Sequence, residues 1–366
     1  MNQRAIEGAG APAAARAVAF YLPQFHPVSE NDRWWGPGFT EWRNVAKARP
    51  LFRGHVQPHI PGELGFYDLR LPETRGTQAS LAADAGVEAF CYWHYWFAGR
   101  RILQRPFEEV LVSGHPSMSF CLGWANQSWT GVWHGAGDRM LIEQTYPGAE
   151  DDRRHFEAVL PAFRDERYFR VDGKPLFYIF KPELLPEPAE FVERWQSMAQ
   201  KAGLEGLYIV AEVTDLFGGG ASYHRPVADG FDVGLYTRLP LDTTRRRWQN
   251  QKLVRKILHR PLTYEHSWNP YLPPAGSGLL SAVYPNWDNT PRSGERGVVL
   301  ERSSPEKFEN HVRRTVSFLQ DRTSEQRLLF VKSWNEWAEG NYVEPDVLWD
   351  RAWLQALRSG LSLPAS

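Results

Sequence analysis

The sequence predicts an α/β fold, a single (β/α)8 barrel of the TIM type with long loop insertions at the carboxyl ends of its strands. Eight short apolar runs rich in Val, Ile, Phe and Tyr occur along the 366 residues, and this composition is typical of buried parallel strands. Segments with helical spacing separate most of the runs, and eight alternating units in this length favour a closed barrel over an open sheet. The sequence has no Gly-rich strand-to-helix fingerprint, which weakens the dinucleotide-binding alternative.

The apolar runs and the segments between them give the predicted elements in order. The predicted strands are Ala17–Tyr21, Val87–Tyr92, Ser119–Leu122, Pro175–Phe180, Leu207–Val213, Phe231–Tyr236, Ser281–Tyr284 and Leu328–Trp334. The clearest predicted helices are Glu73–Ala85, Asp151–Phe163, Pro188–Ala202 and Pro305–Leu319, with Asp346–Arg358 as a closing helix.

Three longer segments interrupt this alternation. Leu22–Pro72 is rich in Pro, Gly and aromatic residues, and we expect an ordered excursion over one face of the barrel. Phe217–Pro226 is Gly-rich and is predicted to be a mobile lid. Arg238–Gly278 is a long insertion that contains a predicted basic helix, Arg245–Arg260.

The basic helix has two interpretations. Its sequence has seven Lys or Arg residues and no acidic residue, and Val254, Ile257 and Leu258 recur at helical spacing. We expect these apolar residues to dock the helix onto the barrel and leave the charges as a solvated face. The alternative is peripheral contact with an anionic membrane or a lipid-linked glycan.

Composition limits the class of protein. The formal net charge of -1 gives no electrostatic argument for nucleic acid as a partner. The two cysteines, Cys91 and Cys121, lie in apolar runs and are expected to be buried free thiols. Residues 1–16 have no continuous apolar stretch and are predicted to be a flexible tail before a catalytic domain at 17–360. With no stretch near ~20 apolar residues, a cytoplasmic protein is the expectation.

Polar and aromatic side chains follow the predicted strands at their carboxyl ends. In a barrel of this type those ends meet at one rim, where the active site is built. The strand-end candidates for ligand binding are Tyr21, Gln24, His26, Tyr92, His94, Tyr95, Trp96, Trp124, Asn126, Trp129, Glu212, Tyr236, Trp287, Asp288, Asn335 and Trp337. Aromatic residues make up 14% of the chain, with 16 Trp, which favours stacking on sugar rings; anchoring of loops explains part of this content.

The segment Trp334–Gly340 carries the strongest chemical signal. It places Glu336 and Glu339 three residues apart among tryptophans, directly after an apolar run. Two carboxyl groups beside aromatic rings are what glycoside chemistry requires, because protons must be exchanged at a sugar bond while the ring is held. A solvated loop with helix N-terminal charges is the plainer explanation.

Other chemistries fit the sequence less well. His55 and His59 are four residues apart, but Pro58 lies between them in a loop and no His-Glu-x-x-His motif occurs, so no metal site is predicted. No Gly-x-Ser-x-Gly motif indicates a serine hydrolase, and we expect no cofactor.

Several motifs together resemble the glycoside hydrolase family 99-like proteins, also called WbsX-like, which are relatives of endo-α-mannosidases. Many of these proteins are associated with bacterial surface polysaccharides. The matching stretches are Tyr21–His26, Trp35–Trp42, Gly65–Asp68, Cys91–Trp96, Trp124–Asn126, Trp287–Asn289 and Trp334–Gly340. The resemblance extends over nearly the whole chain, implies a (β/α)8 barrel, and adds Glu41 and Trp42 to the residues expected to bind substrate.

The resemblance also implies a mechanism. In the mannosidase branch one Glu deprotonates the sugar's own 2-hydroxyl, which attacks the anomeric carbon, and a second Glu acts as general acid and then as base. The Glu-Trp-x-Glu spacing carries these roles onto Glu336 and Glu339. The mannosidase branch has His before the second Glu, whereas this chain has Ala338, so mannose is not assigned as the sugar.

These observations predict a metal-independent glycoside hydrolase that retains anomeric configuration and acts on a bacterial surface polysaccharide, such as an O-antigen, or its precursor. The alternatives are a glycosyltransferase in the synthesis of such a polysaccharide and a glycan-binding protein without catalysis.

Overall fold

The computed structural model describes residues 14–131, 139–214, 226–243 and 252–362. Its centre is a set of eight parallel strands whose side chains are almost all buried. The strands are β1 (Arg16–Tyr21), β2 (Val87–His94), β3 (Ser119–Trp124), β4 (Lys174–Ile179), β5 (Tyr208–Thr214), β6 (Val233–Thr237), β7 (Leu280–Val283) and β8 (Leu328–Val331).

The strands close into a barrel in chain order. Each strand pairs in parallel with the next, from β1 through β8, and β1 also pairs with β8, where Val18 lies opposite Phe330. The predicted (β/α)8 barrel is therefore confirmed. The last strand ends at Val331, three residues before the predicted end.

Helices occupy most connections between the strands. They are α1 (Ser29–Trp35), α2 (Glu41–Lys47), α3 (Pro72–Asp84), α4 (Arg105–Ser113), α5 (Ala149–Arg164), α6 (Pro188–Lys201), α7 (Lys252–Leu258), α8 (Thr290–Ser293), α9 (Pro305–Phe318) and α10 (Ala352–Leu361). The predicted closing helix begins six residues later than expected. The chain before it is a turn in which the Asp346 carboxylate accepts hydrogen bonds from Trp349 N and from the Tyr342 hydroxyl.

Side chains alternate between the inside of the barrel and its outer layer, as strand geometry requires. Phe20, Trp93, Tyr178 and Phe330 fill the inside, with the Phe20 ring centroid 4.9 Å from those of both Trp93 and Tyr178. Residues of the other parity pack against the helices. For example, the Tyr21 hydroxyl donates to Gln78 of α3. This alternation decides which strand-end residues reach the rim.

The segment between β1 and α3 is an ordered excursion, as predicted. Its helix α2 packs on the Trp337–Glu339 turn, and Trp42 of α2 donates a hydrogen bond from its indole to the Tyr67 carbonyl. A short bridge between Pro61 and Asp346 ties the excursion to the chain after β8. The loop is therefore part of the rim rather than a mobile appendage.

The insertion between β6 and β7 supplies two strands of a small separate sheet, and the segment after β7 supplies the third. The strands Leu241–Asp242, Leu262–His266 and Val298–Glu301 pair in this sheet, and α7 lies between the first two in the chain. The expected docking of the basic helix onto the barrel is wrong for Ile257 and Leu258, because these side chains are 64% and 42% exposed. Residues 244–251 of the predicted helix lie outside the described residues.

The remaining boundary predictions have mixed outcomes. Ala14 and Ala15, assigned to the tail, are buried, and Ala14 N donates to the Leu361 carbonyl, so they belong to the domain. Most of the predicted lid, residues 217–225, lies outside the described residues. In the part of the chain that the structure describes, no helix has the length and apolar character needed to cross a bilayer.

Candidate active site

A cavity of about 270 Å³ opens at the carboxyl ends of the strands. Its walls come from the ends of β1, β2, β3, β4, β7 and β8 and the segments that follow them, so several parts of the barrel rim build it together. The polar and aromatic residues that line it include Gln24, Trp35, Glu41, Trp93, Tyr95, Gln127, Trp129, Trp287, Asn289, Arg292, Lys332, Glu336, Glu339 and Asn341.

A tight hairpin after β8 presents the two predicted catalytic carboxyls. Asn335–Glu336 pairs antiparallel with Asn341–Tyr342, and one turn of 3-10 helix, Trp337–Glu339, joins them. The turn ends at Gly340, which has a left-handed φ of 59° and packs so closely on Asp288 that a Cβ would lie 2.9 Å from Asp288 N. A side chain at this position would therefore displace the turn, and with it Glu339.

Arg292 lies at the centre of a carboxylate cluster. Its guanidinium is 2.6 Å from Glu339 Oε1, 3.1 Å from Glu41 Oε2 and 3.5 Å from Glu336 Oε2. These four side chains come from α2, α8 and the hairpin after β8, and each is at least 85% buried. One positive charge thus faces three acidic groups in a site with little water.

This imbalance changes the ionisation of Glu336. Burial and then the neighbouring Glu339 raise the pKa of Glu336 to about 8, although Arg292 and a hydrogen bond from Trp93 Nε1 (3.1 Å) act in the opposite direction. Near neutral pH, Glu336 therefore retains a proton.

A second ion pair forms the floor of the cavity. Lys332 Nζ donates to Glu212 Oε2 at 3.0 Å, and Tyr178 donates to the same oxygen. The other oxygen of Glu212 accepts from Thr214 and Thr237 at 2.8 and 2.9 Å. Burial alone would raise the pKa of Glu212, but Lys332 and the Tyr178 hydroxyl hold it below its usual value. Glu212 thus neutralises Lys332 and has no lone pair left for a ligand.

Aromatic rings form much of the remaining wall. Trp35, Trp93, Trp129 and Trp287 all line the cavity, and Trp129 packs edge-on against Tyr95 with centroids 5.0 Å apart. Burial and then the charge of Glu336 raise the pKa of Tyr95, so its hydroxyl stays neutral. Rings held at such angles offer flat apolar faces beside hydrogen-bonding groups.

The structure brings part of the predicted site together. The predicted residues that line the cavity are Gln24, Glu41, Tyr95, Trp129, Trp287, Glu336 and Glu339. The predicted residues that do not line it are Tyr21, His26, Trp42, Tyr92, His94, Trp96, Trp124, Asn126, Glu212, Tyr236, Asp288, Asn335 and Trp337.

The outward-facing strand-end residues form a layer between the barrel and its helices. His94 Nε2 lies 2.8 Å from His155 Nε2 of α5, and Trp96 stacks on the same imidazole at 4.7 Å. Trp124 packs edge-on against it from the adjacent strand. These three predicted residues therefore lie outside the cavity, because strand parity points His94 and Trp124 away from the barrel interior and Trp96 stacks on His155 on the same side. Tyr21 and Tyr92 share this outer layer, with ring centroids 4.5 Å apart.

Two asparagines that were predicted to bind a ligand instead link neighbouring strand ends through hydrogen bonds. The Asn335 side chain accepts from Leu22 N at 2.7 Å and donates to the Leu22 carbonyl at 3.1 Å, which ties β8 to β1. Asn126 makes the same pair of bonds with Lys181 N and O, both at 2.7 Å, and ties β3 to β4. Both amides satisfy backbone groups where the regular ladder stops, so they are not available to a sugar.

Other predicted residues support the rim from behind. Trp337 is fully buried and donates to Glu344 at 2.6 Å, and Trp42 packs on its ring. His26 is buried against the Pro23 carbonyl. Tyr236 is half-buried and lies outside the cavity wall.

Asp288 lines a different cavity, of about 400 Å³, behind the hairpin. Its carboxylate accepts from His55 and Gln57, both at 2.7 Å, and from the Thr290 hydroxyl at 2.6 Å. Asp288 therefore anchors the excursion after β1 to the end of β7.

Three important wall residues were not among those predicted from the sequence. Trp93 stands between the chosen Tyr92 and His94, and strict alternation from the inward-facing Cys91 would have selected it. Lys332 lies one residue beyond β8 with the parity of Phe330, so the same rule finds it. Arg292 lies on the short helix α8, outside any strand pattern, and the sequence carried no signal for it. Within the described residues, no group of three or more His, Cys, Asp and Glu side chains is arranged to hold a metal ion.

Fold and site together define a (β/α)8-barrel protein with a carboxylate and tryptophan cavity at its rim. The chain belongs to the family described as Glycosyltransferase WbsX, whose model matches residues 17–357. It is 38% identical over 355 residues to the uncharacterized protein WxcX of Xanthomonas campestris pv. campestris strain ATCC 33913, and 38% identical over 364 residues to WxcX of strain B100. Each match covers 95% of this chain but 50% of the relative, so the chain spans about half the length of these proteins.

Solved structures share the fold at low sequence identity. A glycoside hydrolase-like protein matches with a TM-score of 0.59 and 13% identity, over 96% of this chain and 94% of that one. The GH99 endo-alpha-mannosidase from Bacteroides thetaiotaomicron matches with a TM-score of 0.56 and 14% identity, over 94% of this chain and 95% of the other. The predicted kinship with family 99-like proteins is confirmed at the level of family and fold.

Proposed function

We propose that the protein is a retaining glycoside hydrolase that cleaves a bacterial surface polysaccharide or its precursor, with Glu336 and Glu339 as the proton-transferring pair. The observation that carries this proposal is that both carboxyls face one aromatic-walled cavity while a single guanidinium contacts them both. Glycoside cleavage requires one carboxyl that can give a proton and one that can take a proton.

The charge of the cluster supports such a pair. With the pKa of Glu336 raised to about 8, the pair holds one proton near neutral pH, so one acid and one base are present together. The two carboxyls still provide one acid and one base if the proton moves from one to the other when a substrate binds.

The reaction then follows the course that the family resemblance implies. One carboxylate takes the proton of the sugar 2-hydroxyl. The 2-oxygen of the sugar then forms a bond to the anomeric carbon as the glycosidic bond breaks. The other carboxyl gives its proton to the departing oxygen. In the second step a water attacks the anomeric carbon, and the three-membered ring that contains the 2-oxygen opens. The two carboxyls reverse their roles: one takes a proton from the water and the other returns a proton to the 2-oxygen. Two displacements leave the anomeric configuration retained.

The walls suit a neutral sugar held by its faces. Trp35, Trp129 and Trp287 supply rings, while Gln24 and Asn341 place amide groups beside the carboxyls. A cavity of about 270 Å³ is close to the lower end of the ~300–1,000 Å³ range for small-molecule sites, which fits a short stretch of glycan.

Glycosyl transfer from a nucleotide sugar is the second candidate, because the family description names a glycosyltransferase. A diphosphate is best bound by unpaired cations, helix N-termini or a metal ion. In the described part of the wall, Lys332 is paired with Glu212 and Arg292 with three acidic groups. This pairing favours hydrolysis.

Turnover of a panel of bacterial surface polysaccharides tests the proposal. Wild-type protein is expected to release new reducing ends without added nucleotide sugar, and Glu336→Gln and Glu339→Gln are each expected to lose about 10²–10⁴-fold in rate. The matched control is Glu193→Gln, an exposed residue of α6, which should retain full activity. Dependence on a nucleotide sugar with release of nucleotide would establish transfer. Binding without turnover across the panel would leave a glycan-binding protein.

A further inference from the structure

Arg292 and Glu41 form an ion pair that the reaction described above does not use. The Arg292 guanidinium reaches Glu41 at 3.1 Å and Glu339 at 2.6 Å, so it lies between the loop after β1 and the hairpin after β8. The side chain of Glu41 is 1% exposed. Burying a carboxylate costs free energy that pairing with a cation offsets, and Arg292 is that cation for Glu41.

Both residues are fixed in place by their own segments. Arg292 N donates to the Asn289 carbonyl at 3.1 Å, and the Asn289 side chain accepts from Val298 N at 2.7 Å. A Cβ on Gly297 would lie 2.9 Å from that same side-chain oxygen, so the turn is closely packed. On the other side, Glu41 N donates to the Gln24 carbonyl at 3.1 Å. The guanidinium and the third carboxylate therefore hold defined positions.

The groups that face Glu336 come from every surrounding element. Glu339 lies on its own hairpin, Arg292 on α8 and Glu41 on α2, while Trp93 and Tyr95 approach from the end of β2. Lys332 lines the same cavity, but its ammonium donates to Glu212. Among these groups, Arg292 is the cation in contact with the pair and Glu41 is the acid added to it. A single positive charge cannot neutralise three carboxylates in a buried site.

We propose that Arg292 and Glu41 are positioning residues that set, in opposite directions, the pH at which Glu336 ionises. Arg292 supplies a positive charge 3.5 Å from the Glu336 carboxyl and favours its ionisation. Glu41, which contacts the same guanidinium, adds a negative charge that opposes the ionisation of Glu336. The catalytic use of this arrangement rests on the proposed hydrolase function, whereas the proton count of the cluster does not.

The two residues must act on Glu336 in opposite directions. Glu41→Gln removes a negative charge and should lower the pH at which Glu336 loses its proton. Arg292→Met removes the positive charge and should raise it. A neighbouring charge within about 4–6 Å typically moves a carboxyl by roughly one to three pH units. A residue that served only to brace the loop would not produce shifts of opposite sign.

Carbon-13 NMR of protein labelled at the glutamate side-chain carboxyl measures the pH at which Glu336 loses its proton, and no substrate is needed. The Glu336 resonance is assigned as the signal missing from Glu336→Gln, and its midpoint in the wild type is expected near pH 8. We expect the midpoint to fall by at least one unit in Glu41→Gln and to rise in Arg292→Met. If Arg292→Met does not fold, Glu41→Gln still decides the matter. An unchanged or raised midpoint in Glu41→Gln would overturn the proposal, as would a lowered one in Arg292→Met.

The same variants separate this proposal from the hydrolase function. If the midpoints move as expected while no glycan is cleaved, the electrostatic role stands and the hydrolase proposal fails. If a glycan is cleaved while the midpoints do not move, the hydrolase stands and Arg292 and Glu41 have another role.

Discussion

Replacing Glu336 with Gln should stabilise the protein, and by an amount that grows with pH. The folded pKa of Glu336 is about 8, whereas its ordinary value is 4.5, so folding favours the protonated form. A group whose pKa is raised by folding contributes stability that is fully present below its unfolded pKa and is lost as the pH rises through its folded pKa. The neutral amide of Gln resembles the protonated acid at every pH and does not lose this contribution.

The size of the effect follows from the shift. Each pKa unit corresponds to 1.36 kcal/mol, so the difference between 4.5 and about 8 amounts to about 5 kcal/mol. Little screening is expected, because Glu336 is 9% exposed. Relative to Glu336→Gln, the wild type should therefore lose stability steadily between about pH 4.5 and 8 and then level off. At pH 7 the variant should be the more stable by about 3 kcal/mol.

Urea unfolding followed by circular dichroism at pH 5, 6, 7 and 8 measures this difference. The control is Glu193→Gln, whose free energy of unfolding should run parallel to that of the wild type, because Glu193 is exposed. The reasoning is refuted if the wild type and Glu336→Gln stay parallel from pH 5 to 8, or if the wild type gains stability over the variant as the pH rises.

Four further predictions follow from the site and the surface. The kcat/KM for glycan should fall as the pH rises through about 8, because the pair then loses its only proton; a flat profile to pH 10 contradicts this. Trp93→Phe, which removes the hydrogen bond to Glu336, should lower kcat/KM. His94→Gln should reduce the melting temperature and leave KM unchanged. The reverse pattern would reject the assignment of Trp93 to the cavity and of His94 to the outer layer. Activity should survive a chelator, and loss that is restored by a divalent ion would contradict the metal-free mechanism. If α7 contacts membranes, Ile257→Asp should weaken co-sedimentation with anionic vesicles while Val112→Asp, at a still more exposed apolar residue of α4, does not; absence of wild-type binding would leave α7 as a solvated face.

The barrel could be predicted because each strand is a short apolar run between helical segments. Burial on both faces requires such runs, so the signal is present in every strand from Arg16–Tyr21 to Leu328–Val331. The catalytic hairpin could also be predicted, because Glu336 and Glu339 lie within a distinctive local motif.

The composition of the rim was harder to predict, for two physical reasons. Neighbouring residues on a strand point to opposite sides, so a cluster such as Tyr92–Trp96 divides between the cavity and the outer layer. Residue type alone does not reveal this division, and Asn335 and Asn126 show that amides at strand ends can serve the backbone instead of a ligand. Arg292 joins the site from the short helix α8, 44 residues before Glu336, and only the tertiary structure creates this contact.

The origin of the oxygen in the product tests the central claim most directly. Glycan is incubated with wild-type protein in water enriched in oxygen-18, and the new reducing end is examined by mass spectrometry. We predict one oxygen-18 atom at the anomeric carbon with the wild type, and none within the same time with Glu336→Gln or Glu339→Gln. A product without the label, or one formed equally by both variants, would contradict hydrolysis by this pair.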